Sequence, residues 1–194
     1  MEEKDLIQRF HGTFELMMPI LRDAYKGFLS DNPTLLKECI ARFKKMHNAV
    51  TPFLEKIIAE KEKDQMEKKY VNLVFAFQPI ALAIENLIAR MLVKVETNIP
   101  FSEISINEIK SLLEIAYVQF RNVNDYMLTK NPTLKNSVIT SKEKVFQLAI
   151  DYKFVHQNRL ISGTCMPMAS YLYIDFVHAL KRISNGLAEF VEMV

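Results

Sequence analysis

The chain is 194 residues long, which fits one domain or two small halves that share a core. Hydrophobic residues make up 49% of the sequence but it contains only 4 glycines, and a composition so poor in tight turns argues against an all-β domain. The net charge of +2 gives no chain-wide attraction to nucleic acid, and 2 cysteines are too few for a disulfide framework, so we expect a cytoplasmic protein that binds no nucleic acid.

Residues that break helices divide the chain into six segments. They cluster around positions 30–33, 60–65, 97–102, 129–132 and 162–167. Between these breaks, apolar residues recur at steps of three and four, which is the spacing of an amphipathic helix. The pattern predicts an all-α fold with six long helices, over about 4–29, 34–61, 71–95, 104–129, 133–161 and 168–194. Such helices reach roughly 40 Å at about 1.5 Å per residue, which predicts an elongated bundle.

The third and sixth segments are the most apolar parts of the chain. In the third, Gln78, Glu85 and Arg90 interrupt a stretch that a membrane-spanning helix would keep apolar for about 20 residues. We therefore predict that these two segments are the inner helices of a bundle.

The two halves of the sequence resemble each other. Residues 32–35 and 131–134 both read Asn-Pro-Thr-Leu, at an offset of 99, and an offset of 96 aligns the third segment with the sixth. In each copy an Asn precedes a Pro, as at the cap and first position of a helix. We predict two three-helix repeats, over 1–99 and 100–194, that form one compact domain. The alternative is a pair of helical hairpins that are alike through composition alone.

No motif in the sequence names a reaction, and we expect neither a catalytic residue nor a cofactor. The chain lacks the paired Glu-x-x-His motifs of di-metal bundles, a Walker or dinucleotide loop, and Gly-x-Ser-x-Gly. Its nearest feature is Asp175-x-x-His178, an acid and an imidazole on one helix face. Cys165, just ahead of the sixth segment, is interpreted as a structural thiol.

Two alternatives stay open beside a non-enzymatic interaction protein. The first is a metal-binding bundle or enzyme that uses Glu85, Asp175, His178 and His47. The second is a homodimeric scaffold that is joined through an uncovered apolar face of the third helix. Metal content separates the first from the others, and light scattering tests the second.

The most specific motif precedes the sixth segment and leads into the apolar stretch up to position 183. It consists of His156, Arg159, Leu160, Gly163, Cys165, Pro167 and Ala169. Together with the two three-helix units, this stretch resembles the PhoU family, most closely the PhoU-like cytoplasmic domains that follow sodium/phosphate cotransporters. The other segments are similar to the family in length and order.

The resemblance implies a non-enzymatic module that regulates phosphate uptake. Family members sit against membrane transporters or signalling kinases, which implies such a partner and a cytoplasmic location, membrane-associated through a transporter. Contact with a transporter would use helix faces. Tyr25, Phe28, Tyr126 and Met127, near the two equivalent turns, are the candidate contact residues.

Several family members bind iron or zinc clusters through paired acidic residues. On the third and sixth helices, the matching positions here are Glu85 with Ala89, and Lys181 with Asn185. On the second and fifth helices they are Phe43 with His47, and Lys142 with Phe146. A carboxylate survives only at Glu85, and lysine repels a divalent cation, so the resemblance implies that the metal site is lost in this chain.

Overall fold

The computed structural model describes residues 3–59 and 65–194, and in these ranges the chain forms six α-helices and no strand. They are α1 (Glu3–Leu29), α2 (Pro33–Ala59), α3 (Gln65–Glu96), α4 (Glu103–Thr129), α5 (Pro132–Ile161) and α6 (Pro167–Met193). The predicted all-α fold is confirmed. Helix α3 begins at Gln65, before the predicted start at 71, and Tyr70 ahead of that start already lies in the core. The predicted break at 60–65 lies outside the described residues, apart from Gln65.

The α1–α2 and α4–α5 turns have similar backbone shapes. Asp31 and Lys130 are both in the left-handed region, with φ of 46° and 53°. The next residue caps the following helix in each case. Asn32 Oδ1 accepts a hydrogen bond at 3.0 Å from the amide three residues on, and Asn131 Oδ1 accepts one at 3.0 Å from the amide two residues on. These caps satisfy amides that the first turn of a helix leaves without partners, and they confirm the two predicted helix starts.

The helices pack in two layers. Helices α3 and α6 run antiparallel and share the largest contact, with α2 beside α3 and α5 beside α6. Helix α1 packs on α2 and α3, α4 packs on α5 and α6, and α1 and α4 contact each other. Each helix contact within 3–96 therefore has a counterpart within 103–193. Two three-helix repeats would produce this correspondence, while the repeat itself stays a prediction.

Helix α3 has one side in the core and one side open. Residues 68–96 are long and apolar enough to cross a membrane by length and composition, and 56% of the most apolar window is buried inside the bundle. The open side includes the exposed apolar residues Phe75, Leu82 and Val93. The predicted inner position of α3 against α6 is confirmed by their contact.

Phenylalanine rings connect four helices at the centre of the bundle. The ring centroid of Phe14 in α1 lies 4.6 Å from that of Phe120 in α4 and 5.2 Å from that of Phe190 in α6. Phe10, also in α1, lies 5.4 Å from Phe77 in α3. Such pairs add about 0.5–1.5 kcal/mol each beyond the burial of their area. They join the layer of α1 and α4 to the α3–α6 pair.

Gly186 lies where α6 approaches α3 most closely. A Cβ at this position would stand 2.6 Å from Ile80 Cγ1, so that the Ile80 side chain or one of the helices would have to move. We expect Gly186→Ala to lower the free energy of unfolding by about 1–3 kcal/mol, because overpacking outweighs the gain in helix propensity. Urea denaturation followed by circular dichroism measures this loss.

Gly12→Ala in α1 is the matched control, since a Cβ there meets nothing within 4 Å. It should raise the free energy of unfolding by up to about 1 kcal/mol. If Gly186→Ala proved as stable as Gly12→Ala, the close approach of α3 and α6 would be contradicted.

Candidate functional site

Buried polar side chains fill the space between α4 and the α5–α6 turn. This turn cluster consists of Ser105, Glu108, His156, Arg159, Cys165, Ser170 and Tyr173. Glu108 and Arg159 are only 7% and 8% exposed, and His156 and Tyr173 are each 1% exposed. His156, Arg159 and Cys165 come from the motif on which the PhoU resemblance rests.

Arg159 and Glu108 form a two-pronged ion pair. Nη1 donates to Oε1 at 2.8 Å, and Nη2 donates to Oε2 at 2.7 Å. The Tyr173 hydroxyl donates to the same Oε2 at 2.6 Å, and Ser105 Oγ accepts from Nη2 at 3.4 Å. The planar guanidinium suits a carboxylate in this geometry. The pair therefore fastens the end of α5 and the start of α6 to the beginning of α4.

Arg159 and Tyr173, which both donate hydrogen bonds to the Glu108 carboxylate, have raised pKa values. The hydrogen bond to Glu108 raises the pKa of Arg159 above its ordinary value. Burial, followed by the hydrogen bond to Glu108, raises the pKa of Tyr173 far above its ordinary value. Arg159 and Tyr173 are therefore protonated at neutral pH, and the carboxylate receives hydrogen bonds from both.

His156 links α5 to α6 beside this ion pair. Its Nε2 lies 2.9 Å from Ser170 Oγ, and its ring stacks on Tyr173 with the centroids 4.3 Å apart. Burial lowers the pKa of His156, and the positive charge of Arg159 lowers it further. The imidazole is therefore neutral at pH 7.

Cys165 lies at the edge of the turn cluster and is half-buried. Its Sγ is 3.9 Å from His156 Nδ1, a long hydrogen-bond distance for sulfur, so the thiol contacts the imidazole that joins α5 to α6. The hydroxyls of Ser162 and Thr164 donate to the Arg159 carbonyl oxygen at 3.2 and 3.1 Å, which satisfies an acceptor at the end of α5. This geometry favours the interpretation of Cys165 as a structural thiol within a well-fastened turn.

The positions that match the family's metal ligands on α3 lie beside α2. Glu85 and His47 line a groove of about 610 Å³ between these two helices. Ala89, one turn further along α3, is half-buried and does not line this groove.

The matching positions on α6 line a second groove, of about 300 Å³, which meets the first at Pro79. Lys181 Nζ lies 4.5 Å from the centroid of the Phe146 ring, and Asn185 Nδ2 donates to Glu189 Oε1 at 2.7 Å. Within residues 3–59 and 65–194, no group of three His, Cys, Asp or Glu side chains could hold a metal ion. The loss of the family's metal site stays a prediction.

The residues of the metal-dependent alternative do not converge on one site. Asp175 Oδ2 is 3.0 Å from Arg90 Nε and thus pairs α6 with α3. His178 is exposed and lines the smaller groove, whereas His47 and Glu85 share the larger one. The Asp175-x-x-His178 pattern therefore supplies an inter-helix ion pair and a surface imidazole.

Three of the four candidate contact residues are buried, and the expectation that they meet a partner is wrong. Phe28 and Met127 are 1% and 2% exposed, and Tyr126 is 9% exposed. The Phe28 ring lies 5.2 Å from that of Phe176, because the apolar stripe of α1 faces the core along its whole length. Tyr25 is half-buried and lines an apolar cavity between α1 and α4.

Exposed apolar side chains lie on α5 instead. Phe146, Ile150 and Phe154 are 36%, 59% and 64% exposed, and they follow one another at four-residue steps. The predicted contact residues do not include this second apolar stripe, although its four-residue spacing is visible in the sequence. An outward stripe of this kind is typical of a surface that meets another molecule.

No family model, no curated protein and no solved structure matches the chain. The fold and the turn cluster define an all-α bundle protein. The resemblance to the PhoU family stays a prediction that rests on the residues between 156 and 183.

Removal of one partner of the buried ion pair should cost more than removal of both. We expect Arg159→Met to lower the free energy of unfolding by about 3–5 kcal/mol, because the Glu108 carboxylate stays buried without its counter-charge. Adding Glu108→Gln should recover most of this loss, since glutamine still accepts the Tyr173 proton. Asp23→Asn, which breaks the more exposed pair with Arg42, is the control and should cost at most about 1 kcal/mol. Equal losses for the single and double variants in urea titrations would contradict a charge effect.

The lowered pKa of His156 predicts a pH-dependent contribution to stability. The unfolded chain takes up this proton near pH 6.5, whereas the folded chain does so only at lower pH. Stability that is present above about pH 6.5 is therefore lost as the pH falls. We expect His156→Gln to reduce the drop in Tm between about pH 7.5 and 5.5. His178→Gln, at an exposed position, should leave the drop as in the wild type, and the same drop in both variants would contradict a neutral buried His156.

Proposed function

We propose that this chain is a non-enzymatic, PhoU-like regulatory module of phosphate transport that acts at the cytoplasmic side of a membrane phosphate transporter. The observation that carries the proposal is the helix arrangement, in which each contact within 3–96 has a counterpart within 103–193. The resemblance implies a duplicated three-helix unit, and this arrangement supports it.

The turn cluster also supports the proposal, because it contains residues of the motif on which the resemblance to the PhoU family rests. His156 and Arg159 are used to hold the α5–α6 turn against α4, through Ser170 and Glu108. His156 Nε2 and both Nη atoms of Arg159 hydrogen-bond to other groups of the same chain, which suits a rigid scaffold. For the metal-dependent alternative, only Glu85 and His47 of its four residues share a groove among the described residues, so no observation favours it.

A partly apolar surface with charges of both signs is the proposed contact with the transporter. It lies around the two grooves that meet at one proline, and its exposed apolar side chains come from α3 and α5. We define this outer face as Phe75, Pro79, Leu82, Phe146, His178, Lys181 and Arg182. Contiguous exposed apolar groups are typical of contact surfaces. The same two grooves carry charges of both signs, with Lys181 and Arg182 on α6 and the carboxylates of Glu55, Glu85 and Glu189, so the exposed apolar side chains carry the proposed contact.

The proposal is tested by phosphate uptake in cells from which the gene for this chain has been deleted. We expect the deletion to change the rate of radiolabelled phosphate uptake, and the wild-type gene to restore it. The double variant Phe75→Glu with Leu82→Glu should fold, because both side chains are more than half exposed at 54% and 57%, and should fail to restore uptake.

The matched control is the double variant Leu16→Glu with Ile104→Glu. These side chains are 57% and 55% exposed, lie on α1 and α4, and do not belong to the outer face. The control should restore uptake like the wild type. Unchanged phosphate uptake in the deletion strain would contradict the proposed function, and rescue by the outer-face variant would contradict the contact surface.

A further inference from the structure

An apolar cavity of about 320 Å³ opens between α1 and α4. Its floor is formed by Leu87 of α3 with Leu180 and Ile183 of α6, and its walls include Leu21 and Leu113. Cavities of this size that are lined mainly by apolar side chains and carry a few polar groups at one end are typical small-molecule sites. This cavity has roughly twice the volume of an engineered apolar cavity of about 150 Å³ that takes up benzene.

The cavity exists because α4 carries smaller side chains than α1 at related positions. Phe14 and Met17 of α1 are fully buried. At the offset of 99, the residues on α4 are Leu113 and Ala116, and both line the cavity. The core is therefore filled on the α1 side and left open on the α4 side.

One carboxylate at the rim of this cavity has no counter-charge. Glu114 lines the rim close to Tyr25, where its negative charge adds to burial in raising the pKa of the tyrosine. No cationic side chain among the described residues lies within 4 Å of Glu114. Arg22, the other charged lining residue, has its Nε 3.6 Å from Asp23 Oδ1, and Arg42 holds the same carboxylate group at 2.7 Å. Glu114 is therefore the charged lining residue that makes no ion pair among the described residues.

We propose that this cavity binds a small cationic amphiphile, with an apolar ring system or short chain in the chamber and an amine at Glu114. The apolar lining binds the body of the ligand by removing it from water. The carboxylate selects the sign of its charge, as electrostatic complementarity does at other interfaces. The site is separate from the outer face, and it does not depend on the role in phosphate transport.

Three naphthalene compounds test the proposal by isothermal titration calorimetry on the full chain: 1-naphthylmethylamine, 1-naphthylmethanol and 1-naphthylacetate. We expect one amine per chain, bound more tightly than the alcohol, with the acid bound weakest. Glu114→Gln should weaken the amine by about two- to fivefold, the range of a partly exposed ion pair, and leave the alcohol unchanged. Glu114→Lys should make the acid bind more tightly than the amine.

A second variant tests the chamber itself. Ala116→Met places on α4 the residue that α1 has at the related position, and it should abolish the binding of all three compounds. Glu103→Gln, at an exposed position on the same helix, is the matched control for the charge and should bind like the wild type. If Ala116→Met does not fold by circular dichroism, Glu114→Lys on the surface decides the question alone. The proposal is overturned if no compound binds the wild type, if the acid binds as tightly as the amine, or if folded Ala116→Met binds all three unchanged.

Discussion

Close packing of α3 against α6 is the constraint on which the rest of the bundle depends. The two helices can approach each other because α6 carries Gly186 opposite Ile80. Arg90 and Asp175 form an ion pair across the same interface at 3.0 Å. With this pair in place, α2 and α5 extend the layer on either side, and α1 and α4 cover it as a second layer. The amphipathic pattern of α1 and α2 follows from this arrangement, because most of their apolar residues face the core and most of their polar residues face solvent.

Polar contacts at the helix ends complement this apolar centre. Near the end of α3, Lys94 donates to Asp31 in the α1–α2 turn at 2.5 Å. Beyond the end of α6, Lys130 in the α4–α5 turn donates to the Val194 carbonyl oxygen at 2.9 Å. At the start of α6, the turn cluster provides such a polar contact, because Tyr173 donates to Glu108 of α4. Apolar packing tolerates sliding of helices, whereas these directional contacts favour one register. Among them, the Arg159–Glu108 pair of the turn cluster is the buried ion pair, and setting a register is the best-attested use of such a buried pair.

The sequence was sufficient to predict the helices but not the contacts between their polar groups. Steps of three and four residues depend on local geometry, and so do the Asn-Pro caps, which explains why the helix bounds other than the start of α3 agree closely with the structure. Glu108 gave no comparable signal, because its partner Arg159 lies 51 residues away and on another helix. Phe28 and Met127 were misjudged for a related reason. Proximity to a turn indicates exposure only on average, and the apolar stripes of α1 and α4 stay in the core up to the last turn of each helix.

The same separation along the chain has a consequence for how the bundle forms. The contacts of α1 with α2, and of α4 with α5, join neighbours across short turns, so closing them costs little chain entropy. The contacts of α3 with α6 and of α1 with α4 join segments from different halves of the chain. Non-local contacts slow folding, because the entropy of closing a long loop is lost before the contact stabilises the chain. We therefore expect helical hairpins to form early, and the docking of one half on the other to limit the folding rate.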